Sequence, residues 1–217
     1  MHNAFLTWST PLAEAFIVKM ARVSAPANQN NLETGPKLLK YLIKHKHWSP
    51  FEMANLCVEI HTTRAISPQI IRHRSFTFQE FSQRYADPKL LGRIESPELR
   101  MQDPKNRQNS IDSIESSLSH VEINDLHYKI ATHFQEASEI YAEMTKLGIA
   151  KECARSILPL NTPTTLYMSG TLRSWIHYID LRTSNGTQLE HKMIAEDCKS
   201  IFTARFPIIS EALGWNA

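Results

Sequence analysis

Seven apolar residues recur at steps of three and four between positions 123 and 144: Ile123, Leu126, Ile130, Phe134, Ala137, Tyr141 and Met144. That spacing lays one stripe along an α-helix, and Gly148 stops it. No other segment predicts so long a helix. A different period runs through Leu56–Thr62 (LCVEIHT), where apolar residues alternate with others and β-branched members are present, as in a strand. Thr164–Ser169 predicts a second strand. Shorter helices are predicted over 12–22 and 38–45, from Ser67-Pro68 to about Arg74, over 149–158 before Pro159, from a Thr171 cap through Arg182, and over 188–205, stopping before Pro207. Residues 87–117 are polar, carry Pro88, Pro97 and Pro104, and read as an extended excursion. No repeat, low-complexity tract or linker interrupts the chain, so a single α+β domain over residues 1–217 is expected.

Only six glycines are present among 217 residues. There is no G-x-G-x-x-G turn and no G-x-x-x-x-G-K-[ST] loop. A nucleotide bound here must therefore be held by side chains. Basic and acidic residues number 24 and 22, a balance that sets up no global field towards nucleic acid or a membrane surface. A hydrophobic share of 42% is enough for a real core. No apolar run is long enough to span a bilayer, and the first residues lack a signal-peptide pattern. The three cysteines, Cys57, Cys153 and Cys198, are odd in number and far apart. They suggest a reducing, cytoplasmic setting with thiols buried as small hydrophobes.

Within this frame the stretch RHRSFTFQEFSQRY, residues 72–85, stands apart. Arg72, His73, Arg74, Glu80, Ser82 and Arg84 are interleaved with Phe76, Phe78, Phe81 and Tyr85. Cations among aromatic rings suit a pocket for a flat anionic ligand, with guanidinium forks for phosphate and ring faces for a base or flavin. Any one of these arginines alone reads as a surface charge; together, among rings, they call for a compensating anion. Gln69, Arg72 and His73 share a helical face. An extended segment over 76–85 projects Glu80, Ser82 and Arg84 to one side, so the two sets are expected to converge on one concavity. Farther on, Arg173 and His177 lie four apart on a helix that ends on Arg182, with Trp175, Ile176 and Ile179 facing the core. Arg182 also reads as a cation favoured by the helix C-terminus.

Other chemistries fit less well. No metal site is expected: the histidines form no H-E-x-x-H, and cations beside His73 repel a metal ion. Ser82 lacks a base ordered by a third group, so a phosphate donor role suits it better than a nucleophile. Cys153 stands two residues before Arg155, the kind of neighbour a reactive thiol has, but with no partner base it reads as a half-buried helical cysteine. A non-catalytic nucleotide- or RNA-binding protein with a stacking platform is the alternative of another class. The balanced charge and the absence of an RNA-binding signature oppose it, and a colourless protein that takes up no flavin would favour it.

The residues resemble the flavin-dependent thymidylate synthases. That family is marked by R-H-R, seven residues, S, then R two later; here these are Arg72-His73-Arg74, Ser82 and Arg84. The likeness extends to Ser49-Pro50-Phe51-Glu52, Gln69, Arg155-x-x-Leu158-Pro159-Leu160, Arg173 and Leu181-Arg182, over most of residues 38–200. It implies methylation of dUMP at uracil C5 to give dTMP, with methylenetetrahydrofolate as carbon donor, FAD as cofactor and NADPH as reductant. It implies a twisted antiparallel sheet flanked by long helices, and a homotetramer with shared active sites. By position, the implied FAD contacts are Ser49, Glu52, Arg72, His73, Arg74, Glu80, Thr171, Arg173 and His177. The implied substrate contacts are Gln69, Arg72, Glu80, Phe81, Ser82, Gln83, Arg84, Arg155 and Arg182, with the equivalent of Arg155 coming from a neighbouring chain. Arg182 is the implied catalytic residue, set against the pyrimidine edge. The chain departs from the commoner family residues at Thr77, Gln79, Thr171 and His177, and the 87–117 excursion matches no family motif.

Overall fold

A computed structural model describes residues 2–215. In chain order its elements are β1 (Asn3–Ser9), α1 (Ala13–Ala21), α2 (Gly35–Lys44), β2 (Asn55–Thr63), α3 (Ser67–Ile71) and β3 (Thr77–Glu80). There follow β4 (Met101–Gln102), β5 (Ser110–Ile111), α4 (Ile114–Ser117), α5 (His120–Lys146), α6 (Lys151–Ala154) and β6 (Pro163–Thr171). The chain ends with α7 (Leu172–Arg182), α8 (Leu189–Arg205) and α9 (Pro207–Leu213). The fold is α+β. Strands in the order β1-β2-β6-β3 form an antiparallel sheet, and β4 and β5 make a separate hairpin inside the 87–117 excursion.

Alternation in the two central strands settles which face is covered. Leu56, Val58 and Ile60 of β2 and Leu166 and Met168 of β6 are fully buried beneath helices, whereas Glu59 and Tyr167 on the opposite face hydrogen-bond to each other at 3.0 Å. Trp175 of α7 crosses the sheet and donates its indole N–H to the Leu56 carbonyl at 2.8 Å, so its one polar atom is satisfied inside the core. Tyr178 and Ile179 of α7 and Ile194, Cys198 and Phe202 of α8 complete the buried layer.

Several expectations are revised. β1 is absent from the sequence reading because its pairing register shifts between Leu6 and Trp8 and leaves Phe5, Leu6 and Trp8 exposed. Ser67 does not cap α3: its hydroxyl is buried without a partner and Ile66 stands at the cap. That helix ends at Ile71, and Arg72–Phe76 forms turns. The strand predicted over 76–85 stops at Glu80; Gln83–Tyr85 is a turn, so Glu80, Ser82 and Arg84 do not share one strand face. α8 stops at Arg205, before Pro207, as expected; Pro207 itself opens α9, since proline suits the first turn of a helix. Cys153 is exposed, while Cys57 and Cys198 are buried as expected.

The long helix begins earlier than predicted, at a capping box in which Ser119 and Glu122 bond reciprocally. Its apolar stripe is only partly covered. Ala137 and Tyr141 are buried, but Leu126 in the stripe is 41% exposed and Val121, ahead of it, 78%.

Candidate active site

The turn carrying Arg72–Arg74 is anchored two residues farther on, at Phe76. Phe76 is buried against Trp175, with ring centroids 4.9 Å apart at 78°, and lies over Gly170 of β6. A Cβ at position 170 would sit 2.5 Å from the Phe76 ring, far inside van der Waals contact. Glycine at 170 is what lets the ring, and with it the cationic turn, close onto the sheet.

From this anchor His73 meets Arg182. The Arg182 Nε–H donates to His73 Nε2 at 2.9 Å, which requires a neutral His73 carrying its proton on Nδ1. Burial, then the Arg182 guanidinium, then His177, push the His73 pKa down to about 4. Beneath it, the Tyr178 ring lies edge-on at 4.9 Å and 84°. Tyr178 Oη and His191 Nε2 share a hydrogen bond of 3.1 Å. His191 is fully buried, and burial, followed by Arg182 and His73, takes its pKa down to about 3. Arg182 therefore ends α7 not merely as a cation at a helix terminus but in contact with a neutral imidazole, backed by two buried side chains. The sequence reading missed Tyr178 and His191. Their single local signal is a polar atom within an otherwise apolar helix face.

A second group forms at the start of α7. Thr171 caps the helix, its hydroxyl accepting from the Ser174 N–H at 3.3 Å. Arg173 is paired with Glu52. Glu52, Arg173 and His177 line a cavity of about 480 Å³ together with Trp48, Ser75, Ser174 and Asp180. The shared face expected for Arg173 and His177 is thus present. Ser49 is exposed in the turn just before Glu52.

The remaining candidates do not join one concavity within the single chain. Glu80 turns to Arg64 at 2.5 Å and accepts from Thr164 Oγ1 at 3.0 Å. Arg64 carried no signal in the sequence. Arg84 pairs with Glu152 of α6 at 3.1 Å, and Lys151 donates to the Tyr85 carbonyl at 2.9 Å, so α6, which Arg155 follows at the C-cap, pins the 82–86 turn. Gln83 is buried with its amide nitrogen unpartnered, and Phe81 and Ser82 are half-buried beside it. Gln69 donates to Gln188 at 2.7 Å. Arg72 and Arg74 are exposed. A cavity of about 800 Å³ lies elsewhere, between residues 87–96 and α5, and contains none of these side chains. No cluster of metal-ligating residues exists among the described residues, and no described helix is long and apolar enough to cross a membrane.

Comparison with known proteins gives these arrangements a context. The family model described as "thymidylate synthase complementing protein" matches residues 6–208. A probable flavin-dependent thymidylate synthase from Paramecium bursaria Chlorella virus 1 is 52% identical over 209 residues, covering 94% of this chain and 91% of its own. The flavin-dependent thymidylate synthase of Synechocystis sp. is 48% identical, covering 93% and 90%. Among solved structures, a UMP/dUMP methylase from Streptomyces cacaoi bound with 5-Br dUMP superposes with a TM-score of 0.80 at 26% identity, covering 99% of this chain and 95% of that one. With the family model spanning most of its length and relatives near half identity along it, the chain belongs to the flavin-dependent thymidylate synthase family.

Proposed function

We propose that this protein methylates dUMP at uracil C5 to form dTMP, taking the carbon from methylenetetrahydrofolate and reducing equivalents from NADPH through FAD. The observation that carries this reading is the pairing of Arg182 with a neutral His73 at 2.9 Å. With its Nε–H taken, the guanidinium is fixed in plane and its two terminal nitrogens stay free to face a pyrimidine edge. A cation held this way stabilises negative charge as it spreads over the uracil carbonyls and N3. A protonated His73 would lose the acceptor and add a like charge beside Arg182, so the neutral state is part of the design.

The donor set at the start of α7 fits part of a flavin dinucleotide. Arg173, the Ser174 hydroxyl and His177 line one cavity at the start of an 11-residue helix that Thr171 caps, and the amide end of such a helix favours anions. Ser49, Glu52, Arg72, His73, Arg74, Glu80, Thr171, Arg173 and His177 would hold FAD. When bound and reduced, FAD supplies the hydride. Gln69, Phe81, Ser82, Gln83, Arg84 and Arg155 would hold dUMP with Arg72, Glu80 and Arg182; Ser82 and Arg84 suit its phosphate. Exposure of Arg72, Arg74 and Arg84 in the single chain, and of Val121, Leu126 and Tyr128 on α5, supports a homotetramer whose copies complete one another's sites.

The test is turnover under anaerobic conditions. FAD-loaded protein given dUMP, methylenetetrahydrofolate and NADPH is expected to form dTMP with equimolar NADPH oxidation. A protein that binds FAD and dUMP yet forms no dTMP would overturn the proposal.

A further inference from the structure

The 87–117 excursion reaches back to the body of the protein through Arg100, just ahead of β4. This side chain is 10% exposed and meets Glu190, itself 15% exposed, at 2.5 Å. Its Nε–H donates to Ser110 Oγ of β5 at 3.0 Å, and Glu98 lies at 3.3 Å. The second oxygen of Glu190 accepts from Gln188 Nε2 at 2.9 Å. Gln188 Oε1 in turn accepts from Gln69 Nε2 at 2.7 Å. A continuous line of side chains thus runs from the hairpin, across the start of α8, to α3.

Polarity propagates along this line. A guanidinium only donates and a carboxylate only accepts. Burial opposes the charge on Glu190, but Arg100, its own backbone amide and Gln188 more than offset it, so the carboxyl stays below its usual value and is ionised at neutral pH. Gln188 must therefore turn its NH2 group to Glu190 and offer Gln69 only its carbonyl. Gln69 must spend an N–H on that carbonyl, which leaves its own carbonyl oxygen unspent. An amide has two ends of nearly equal shape, so without the charged pair nothing in this line distinguishes them.

We propose that Arg100 and Glu190 are positioning residues that set the amide of Gln69 to accept a hydrogen bond from an N–H or O–H of the substrate. The proposal rests on the reading of Gln69 as a dUMP contact. dUMP carries two such donors, the imide N3–H and the ribose 3′-hydroxyl. The hairpin then contributes to substrate recognition without touching substrate.

The test uses the FAD-loaded enzyme, with dUMP binding followed by flavin absorbance alongside steady-state kinetics. Arg100→Met is expected to weaken dUMP binding about tenfold, the effect of one lost or misdirected hydrogen bond, with FAD content unchanged and kcat altered by less than about threefold. Arg100→Lys, which keeps the charge, recovers part of the loss. Because Arg100 acts through Gln69, Arg100→Met in a Gln69→Met background adds nothing further. With 2′,3′-dideoxyuridine monophosphate or N3-methyl-dUMP, the penalty disappears for the analogue lacking the donor that Gln69 meets. Should Arg100→Met not fold, Glu190→Gln, nearly identical in shape, carries the same expectations. Unchanged dUMP affinity, multiplicative losses in the double variant, or a penalty that persists with both analogues would overturn the positioning role while wild-type turnover stands. Absence of dUMP binding to the wild type would instead overturn the functional reading beneath it.

Discussion

Arg182 and the arginines of residues 72–84 carry the same charge but are held in different ways. Arg182 ends a helix whose other side is core, and its Nε–H is taken by an imidazole resting on Tyr178. Tyr178 and His191 are fully buried. Arg72, Arg74 and Arg84 sit in turns and are exposed; Arg84 is paired with Glu152, whose side chain is 55% exposed. A surface pair of that kind contributes little, so these cations keep freedom that a bound anion, or another copy of the chain, can take up. Under the proposed function, the contrast is a division of labour. A cation that acts on the reacting ring gains from being fixed before substrate arrives, whereas cations that grip phosphate can be ordered by the phosphate itself.

The sharpest way to break this contrast is Arg182→Ala. Turnover should fall by at least about 10²- to 10³-fold, as for removal of a preorganised electrostatic group, while FAD content and folding remain close to wild type. Retained methylation, measured as dTMP formed per enzyme, would place Arg182 among the replaceable cations.

Gly170→Ala tests the anchor of the exposed set. The added methyl would meet the Phe76 ring at 2.5 Å, and Phe76 is hemmed by Trp175, so about 1–3 kcal/mol of stability should be lost. Denaturant unfolding measures it, and a change below about 0.5 kcal/mol would mean that the turn is not tethered through this ring.

pH probes the fixed set. His73 and His191 are neutral in the fold, with pKa values of about 4 and about 3 against an ordinary 6.5. Below pH 6.5 the unfolded chain binds protons that the fold refuses. Their contribution to stability is therefore complete above pH 6.5 and is lost progressively as the pH falls towards 4. The Tm should decline between pH 6.5 and about pH 5, before most carboxylates titrate, and His191→Leu should flatten that slope. An equally steep decline in the variant would exclude His191 as a source.

Cys153→Ala should have the smallest effect. The thiol is exposed and belongs to neither set. Activity near the wild-type level is expected; complete loss would reopen the case for a thiol nucleophile.

Local patterns made much of this legible in the chain itself. The period of α5, the alternation of β2 and the Thr171 cap are of that kind, and each element lies within a few residues of its expected place. The cations around Arg72–Arg74 and the shared face of Arg173 and His177 were legible for the same reason. β1 was not, because a register shift breaks its alternation. Nor was the end of α3, where the next turn follows Phe76 into the core rather than continuing the helix.

By itself, the amino-acid sequence determined the inventory: a long amphipathic helix, glycines too few to cradle phosphate, and arginines gathered among rings. Tertiary structure alone decided the partners. His73 meets Arg182 across 109 positions, Glu80 meets Thr164 across 84 and Gln69 meets Gln188 across 119. A hydrogen bond is chosen within a few tenths of an ångström and depends on both donor and acceptor polarity. Over such sequence separations, only the packing of the sheet and α7 determines which groups come within that distance.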